Sequence, residues 1–305
     1  MNFKNLLRKA GGAAVILSSV LATTEVKAQL APLGAMYFQN QYLANPAMAG
    51  LQKGLHMDLA YRQQWSSMPG SPTTQSVTLD YGSNKKAGLG INILNDEAGL
   101  LQRTRVMGTY AYHLPLSNED QKLSFGVSFG VMNERVKQEE IDGDMNDGSV
   151  GKFNQRESYL DGDFGAAYTS GRLSVQAAIP NLKSVFGSDE AEQSNLADKS
   201  SYFASASYRL SFPKAVDGMD IEPKVCYRAV DGHDDIVDIG TNVTFARNVV
   251  NVQALYHSSE SMTVGLGVKY KQFAQINGMY TSGTSALRGY TNGNFELNLK
   301  LNLSK

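Results

Sequence analysis

The clearest pattern in this chain is a strict alternation of apolar and polar residues, and the last segment shows it best. From Phe295 to Leu303 every odd position is apolar, while the even positions carry Glu, Asn and Lys. A period of two places all the apolar side chains on one face of a β-strand. The segment therefore predicts a strand with one oily and one polar face, as in barrels that cross a bilayer.

Similar alternation recurs along the chain from Leu55 onwards, and the segment from Leu123 to Val131 is a further clear example. The intervening connections are either very short or long. The two longest polar stretches run from Lys137 to Asn154 and from Asn181 to Ser200. Outer-membrane barrels alternate in this way between short periplasmic turns and longer extracellular loops. We therefore predict an all-β, transmembrane outer-membrane antiparallel β-barrel of about 14 strands over residues 54–305.

A soluble β-sandwich would also satisfy the alternation, because its strands turn polar residues to water and apolar residues to a core. The predicted strands often reach about ten residues, whereas soluble strands average about five or six. Tyrosine also recurs near the ends of the apolar faces, as in an interfacial belt. These tyrosines are Tyr61, Tyr81, Tyr112, Tyr168, Tyr227, Tyr256, Tyr270 and Tyr280. Both features favour the barrel, and the many Gly and Ser residues on the polar faces predict a lumen with free space.

The N-terminal residues do not follow the barrel pattern. A basic start is followed by a short apolar run from Ala10 to Leu21, and Val26-Lys27-Ala28 resembles a small-x-small cleavage site. This order predicts a signal peptide over residues 1–28. Residues 29–53 have no clean periodicity and are interpreted as an extended N-terminal segment before the barrel.

Composition narrows the function classes. The formal net charge is −1, so no bulk basic field indicates nucleic acid as a partner. The single cysteine, Cys226, excludes a disulfide framework. No pattern predicts a cofactor.

Two groups of residues could carry chemistry, and neither has the required spacing. His257 is followed by Ser258 and Ser259, but adjacency in sequence is not the geometry of a catalytic triad. The acidic stretch around Asp142 and Asp144 has the composition of a calcium loop without the spacing of an EF-hand. We therefore expect neither an enzyme nor a metal site, and a hydrolase remains the third function class.

Two motifs interrupt the strand pattern. The first is Asn45-Pro46-Ala47-x-x-Gly50, and the second is Tyr61-Arg62-x-Gln64-Trp65, followed by Pro-x-Thr ahead of the second predicted strand. Together they resemble the PorP/SprF family, outer-membrane proteins of the type IX secretion system and gliding machinery of Bacteroidota. The motifs occupy the first third of the mature chain, and the barrel pattern agrees with the family over the rest.

The resemblance implies a location in the outer membrane and a role in protein secretion and gliding motility. It implies binding or anchoring of a secreted protein's C-terminal domain. The expected partners are that cargo domain, periplasmic type IX secretion components and outer-membrane lipid. The alternative from the barrel pattern alone is a passive channel for small solutes.

The candidate partner-binding residues are Asn45, Pro46, Arg62, Gln64 and Trp65. Trp, Tyr and Arg are enriched at the energetic centres of protein interfaces, which favours a docking role. The alternative is structural: the same residues would only pin the N-terminal segment to the mouth of the barrel.

Overall fold

The computed structural model describes most of the barrel. The described residues are 34–67, 70–83, 86–116, 121–137, 158–186, 201–230, 235–283 and 292–304. The predicted signal peptide and the first residues of the predicted N-terminal segment lie outside them. So do the acidic stretch at 142–147 and most of both predicted long loops.

Fourteen strands are formed by the described residues, each antiparallel to its neighbours. They are β1 Gly54–Gln64, β2 Thr73–Gly82, β3 Ala87–Ala98, β4 Leu101–Pro115, β5 Gln121–Val136, β6 Tyr159–Ser170, β7 Leu173–Ile179, β8 Ser201–Tyr208 with its continuation Leu210–Phe212, β9 Met219–Val230, β10 Ile236–Phe245, β11 Val250–His257, β12 Ser261–Tyr270, β13 Ala274–Thr281 and β14 Asn294–Asn302. Both parts of β8 pair with β9, so they count as one strand interrupted at Arg209.

The sheet closes because its last strand pairs with its first. Within β14, Leu299 lies opposite Leu59 of β1 on one side and opposite Ile276 of β13 on the other. Each remaining strand pairs with the strands before and after it in sequence. Closure leaves no sheet edge, which a hydrocarbon environment would not tolerate. The predicted class, an antiparallel outer-membrane β-barrel of 14 strands, is confirmed.

The two faces of the wall are reversed relative to a soluble protein. Outward side chains are apolar and exposed, such as Phe129 at 61% and Leu266 at 57%. Inward side chains are polar and buried, such as Asn298 and Thr263 at 0%. The outer face therefore suits lipid, and the polar residues form the lining of the lumen.

The connections define two different ends of the barrel. At one end, called the loop end, the chain connects β5 to β6, β7 to β8 and β13 to β14 through its longest links, and β1 to β2 through a shorter one. At the other, called the turn end, the links are short, and in one of them Arg247 and Asn248 have the positive φ values of a tight turn. In bacterial barrels the long loops face outside the cell.

Among the described residues, no helix is long and apolar enough to cross a bilayer. The helices that do occur are short. They are α1 Gln41–Ala44, a 3₁₀ turn at Pro46–Met48 and α2 Leu182–Phe186, which lies in the predicted second loop.

The orientation of the wall can be tested at Leu266, in the middle of β12. We expect Leu266→Arg to destabilise the folded barrel by about 2–4 kcal/mol if this position faces the hydrocarbon midplane. Leu266→Ala is the control without a charge. The measurement is denaturant unfolding in lipid vesicles, and equal stability of the two variants would show that Leu266 does not face lipid.

Candidate functional site

Residues 34–53, called the lumen segment, lie inside the barrel. Tyr37 donates a hydrogen bond to Asp238 of β10, and the Tyr42 hydroxyl donates to Thr109 of β4 at 2.7 Å. Wall residues on opposite sides of the lumen thus contact the same stretch of chain. The segment was predicted to be extended before the barrel; instead it contains α1 and the 3₁₀ turn and occupies the lumen.

The segment runs from the loop end to the turn end. Its first residues contact Glu296, which lies near the loop-end start of β14. Its last residues approach the turn end, where the Gly50 N–H donates to Asp80 near the end of β2, and the chain enters β1 at Gly54. The segment therefore spans the lumen along its length.

Two asparagines produce the turns that make the segment compact. The Asn40 side-chain oxygen Oδ1 accepts the Leu43 N–H at 3.1 Å and caps α1. Asn45 Oδ1 accepts the Ala47 N–H at 2.9 Å and caps the 3₁₀ turn. Asparagine favours such caps because its side chain satisfies N–H groups that a helix start leaves free. Pro46 suits the first position of the turn, where no N–H is needed.

Asn45 also ties the segment to the wall. It is fully buried, and its amide donates to the carbonyls of Ala166 in β6 and Ala177 in β7 at 3.1 and 3.3 Å. One side chain therefore both shapes the turn and anchors it to two strands.

Glycines on the inner face make room for the segment. A Cβ added at Gly126 would lie 2.2 Å from Pro46, and one at Gly165 would lie 2.0 Å from the Asn45 side chain. A Cβ added at Gly88 would likewise lie 2.1 Å from the Ala49 carbonyl oxygen. The prediction that inner-face glycines leave free space was therefore wrong, because at these positions they meet the chain's own N-terminal residues.

Charged wall residues bind the main chain of the segment. Both Glu296 carboxylate oxygens accept the Ala35 N–H, at 3.1 and 3.0 Å. Lys224 donates to the Tyr37 carbonyl at 2.7 Å. These contacts satisfy backbone groups that would otherwise be buried without a partner.

A buried polar network surrounds Asp238. It accepts hydrogen bonds from Tyr37 and from Arg228 at 2.9 Å, and it contacts His257 Nδ1 at 2.6 Å. The other His257 nitrogen lies 2.8 Å from the hydroxyl of Thr263, which is fully buried. His257 is thus held between two wall groups, and the network anchors the start of the lumen segment.

The hydrolase hypothesis paired Ser258 with His257. In the structure the Ser258 hydroxyl instead accepts the Val237 N–H at 3.0 Å. Within the described part of the chain, no group of three or more His, Cys, Asp or Glu residues is arranged to hold a metal ion. The polar groups of the lumen are arranged for binding the segment.

The structure does not bring the five predicted site residues into one cluster. Asn45 and Pro46 are buried against β5, β6 and β7. Arg62 is buried near the loop end, with its Nε 3.6 Å from Glu296. Gln64 is buried beside it in β1, and only Trp65, with φ 51°, is partly exposed at the rim.

The sequence reasoning missed the wall residues that hold the segment, namely Glu296, Lys224, Asp238 and Lys300. A signal was present, because Glu296 and Lys300 are charges on the inner face of the most regular strand in the chain. Buried charges are retained only where they are paired or hydrogen-bonded. Inward charges in such a strand mark positions that could bind polar groups inside the lumen, and the structure shows that Glu296 and Lys300 do so.

A closed wall with an apolar outside and a buried polar inside defines an integral barrel protein of the bacterial outer membrane. Within that class, residues 26–301 match the family described as type IX secretion system membrane protein PorP/SprF. The match covers nearly the whole sequence, so the chain belongs to the PorP/SprF family. No curated protein matches the chain significantly.

Solved structures of similar shape are distant in sequence. The outer membrane protein Omp33 of Acinetobacter baumannii is 10% identical, with a TM-score of 0.48 over 83% of this chain and 100% of that one. The toluene transporter TbuX of Ralstonia pickettii is also 10% identical, with a TM-score of 0.46 over 91% and 93%.

The fit between segment and wall can be tested at Gly126. We expect Gly126→Val to expel the lumen segment, because the new side chain would collide with the Pro46 backbone, while the barrel still folds. Limited proteolysis in detergent would then cleave within residues 34–53 of the variant, and heat-dependent gel mobility would report the intact barrel.

Gly108→Val is the matched control, because the nearest atom to its added Cβ is 3.9 Å away and the side chain points outward. Full protease protection of the lumen segment in Gly126→Val would contradict the tight fit.

Proposed function

We propose that this protein binds or anchors the C-terminal domain of a secreted protein at the outer membrane, as a component of type IX secretion and gliding motility. The role is recognition rather than catalysis. Membership of the PorP/SprF family supports the secretion role. The observation that carries the binding role is that residues 34–53 occupy the lumen, which leaves docking surfaces rather than a free passage.

The loop end offers the surface best suited to docking. The longest connections meet there, and Trp65 lies partly exposed on its rim. Its N–H donates to the Gly293 carbonyl at 2.9 Å, which fixes the start of the first loop against the last. A large aromatic side chain at a fixed position is a common energetic centre of protein interfaces.

At the loop end the barrel wall extends furthest where β4 and β5 form it. Strands β4 and β5 have 15 and 16 residues, whereas β11 and β13 have 8 each. Above the apolar band the outward side chains become polar and bond to one another: Gln102 donates to Asn95 at 3.1 Å, and Lys137 to Glu97 at 3.0 Å. We infer that this polar wall stands clear of the lipid and adds to the docking surface.

Trp65 provides the first test. We expect Trp65→Asn to reduce surface retention of the cognate cargo about tenfold, while the amount of folded barrel is unchanged. Asparagine tolerates the positive φ at this position, so the ring is lost without added backbone strain. Cargo display is measured on intact cells by antibody labelling, with Trp65→Phe as the aromatic control.

Affinity purification from solubilised outer membranes would identify that cargo beforehand. A large secreted protein retained through its C-terminal domain is the expected result. If cargo display is the same in the Asn and Phe variants, Trp65 is not part of the docking surface. Arg62 is a poorer test residue, because its loss would leave buried Glu296 without its ion pair.

Conductance separates this proposal from a passive solute channel. We expect the purified wild-type barrel to carry little current in a planar bilayer, because the lumen segment fills the pore. Gly126→Val should conduct, and Gly108→Val should remain silent. A large steady current through the wild-type protein would favour the channel instead.

A further inference from the structure

We infer that the side of the lumen lined by β9, β10, β11 and β14 is a binding groove for a polypeptide, and that residues 34–40 are its replaceable occupant. The identity of the incoming ligand, a segment of the secreted protein, rests on the function proposed above. The groove itself is argued from the contacts of residues 34–40 alone.

The groove recognises main-chain atoms at three places. Glu296 accepts the Ala35 N–H, Lys224 donates to the Tyr37 carbonyl, and Lys300 donates to the Gln39 carbonyl at 3.3 Å. Every polypeptide carries these groups, whatever its side chains. Charged wall residues that bind backbone atoms can therefore accept a different chain in the same place.

The groove also selects aromatic side chains. Lys224 Nζ lies 4.7 Å from the centre of the Phe38 ring, and the Arg228 guanidinium lies 5.6 Å from the centre of the Tyr37 ring. These distances suit cation–π contacts. The ligand class is therefore a short polypeptide segment with two consecutive aromatic residues, the first carrying a hydroxyl for Asp238.

The rest of the lumen segment is fixed in a way that residues 34–40 are not. At Gly82 and Gly88 the wall backbone packs directly against the backbone of the segment. A Cβ added at Gly82 would lie 1.9 Å from the Gln52 carbonyl oxygen, and one added at Gly88 would lie 2.1 Å from that of Ala49. On the groove side, Gly265 of β12 meets the wall side chains Gln253 and Met279 instead. Flexible side chains can readjust around a new occupant, whereas a backbone-to-backbone fit cannot.

Residues 34–40 also have a route out. Their first residues lie near the loop end, because Ala35 contacts the start of β14 and Tyr37 contacts the start of β10, whereas Gln39 contacts Lys300 nearer the turn end. Residues 41–53 follow them toward the turn end, so the direction of release that we infer is toward the loop end. An incoming polypeptide would enter through the same end, where cargo docking is proposed.

Gly34 offers a substitution that loosens residues 34–40 selectively. Its φ is +56°, and an added Cβ would lie 2.6 Å from both Glu296 carboxylate oxygens. Either Glu296 must move away from the Ala35 N–H or residues 34–40 must shift, so we expect Gly34→Val to loosen residues 34–40 and leave the fixed part in place. Gly99→Val is the matched control, since Gly99 has a φ of +57° but no atom within 4 Å of the added Cβ.

The test is binding of a fluorescent peptide with the sequence of residues 34–41, measured by anisotropy on the purified barrel in detergent. We expect saturable binding to Gly34→Val and to a second variant lacking residues 34–39, which keeps Asn40 as the cap of α1. Wild type and Gly99→Val should bind at least tenfold more weakly, because their own residues compete. Adding Lys224→Met to Gly34→Val, or replacing both aromatic residues of the peptide by Ala, should weaken binding several-fold.

Absence of saturable binding to the deletion variant, with heat-dependent mobility showing a folded barrel, would overturn the groove. So would equal binding by wild type, because the site would then not be occupied by residues 34–40. The peptide assay uses no cargo, whereas the Trp65 variants are read out by cargo display. Failure of the groove and failure of the proposed function are therefore distinguishable.

Discussion

The structure depends on satisfying polar groups inside a wall whose outer face is committed to lipid. Period-two alternation sends every second side chain inward, and these include buried Asp238, Lys224 and Glu296. A buried charge without partners costs far more than a hydrogen bond returns. The lumen segment supplies those partners, so the barrel and its N-terminal residues form one unit.

This requirement is met differently on the two sides of the lumen. Against β2, β3 and β5, glycines let two backbones approach closely, and the Asn45 amide bonds carbonyls of β6 and β7. Against β9 to β14, long side chains such as Lys224 and Lys300 reach across to backbone carbonyls. The backbone packing at the glycines fixes the conformation of residues 41–53. The long side chains can adjust their positions, so residues 34–40 can be exchanged for another chain. The same segment is thereby rigid in its second half and adaptable in its first.

The strands and their closure could be predicted from the sequence, because alternation reports directly which side chains share a face. Phe295 to Leu303 predicted a strand with one apolar face, and the structure has this strand pairing on both sides. The position of residues 34–53 could not be predicted, because a compact segment held by caps has no periodicity. The role of Gly126 and Gly165 was missed for a related reason: a missing side chain does not reveal what fills its place. The partner-binding role of the motif residues stays a prediction, and pattern alone could not show that Asn45 and Arg62 lie in different parts of the lumen.

The enclosed position of residues 34–53 has a consequence for assembly. These residues precede β1 in the chain, yet they contact wall residues as distant as Glu296 and Asn298, separated by 261 and 262 positions. The sheet must therefore curl around them before the first and last strands meet, or they must thread in afterwards through a mouth. Contacts between such remote positions slow folding, because a long loop must close before they form. The enclosure of Ala35 by Glu296 is therefore finished only when β14 meets β1, so the interior of the cylinder and its seam are completed together.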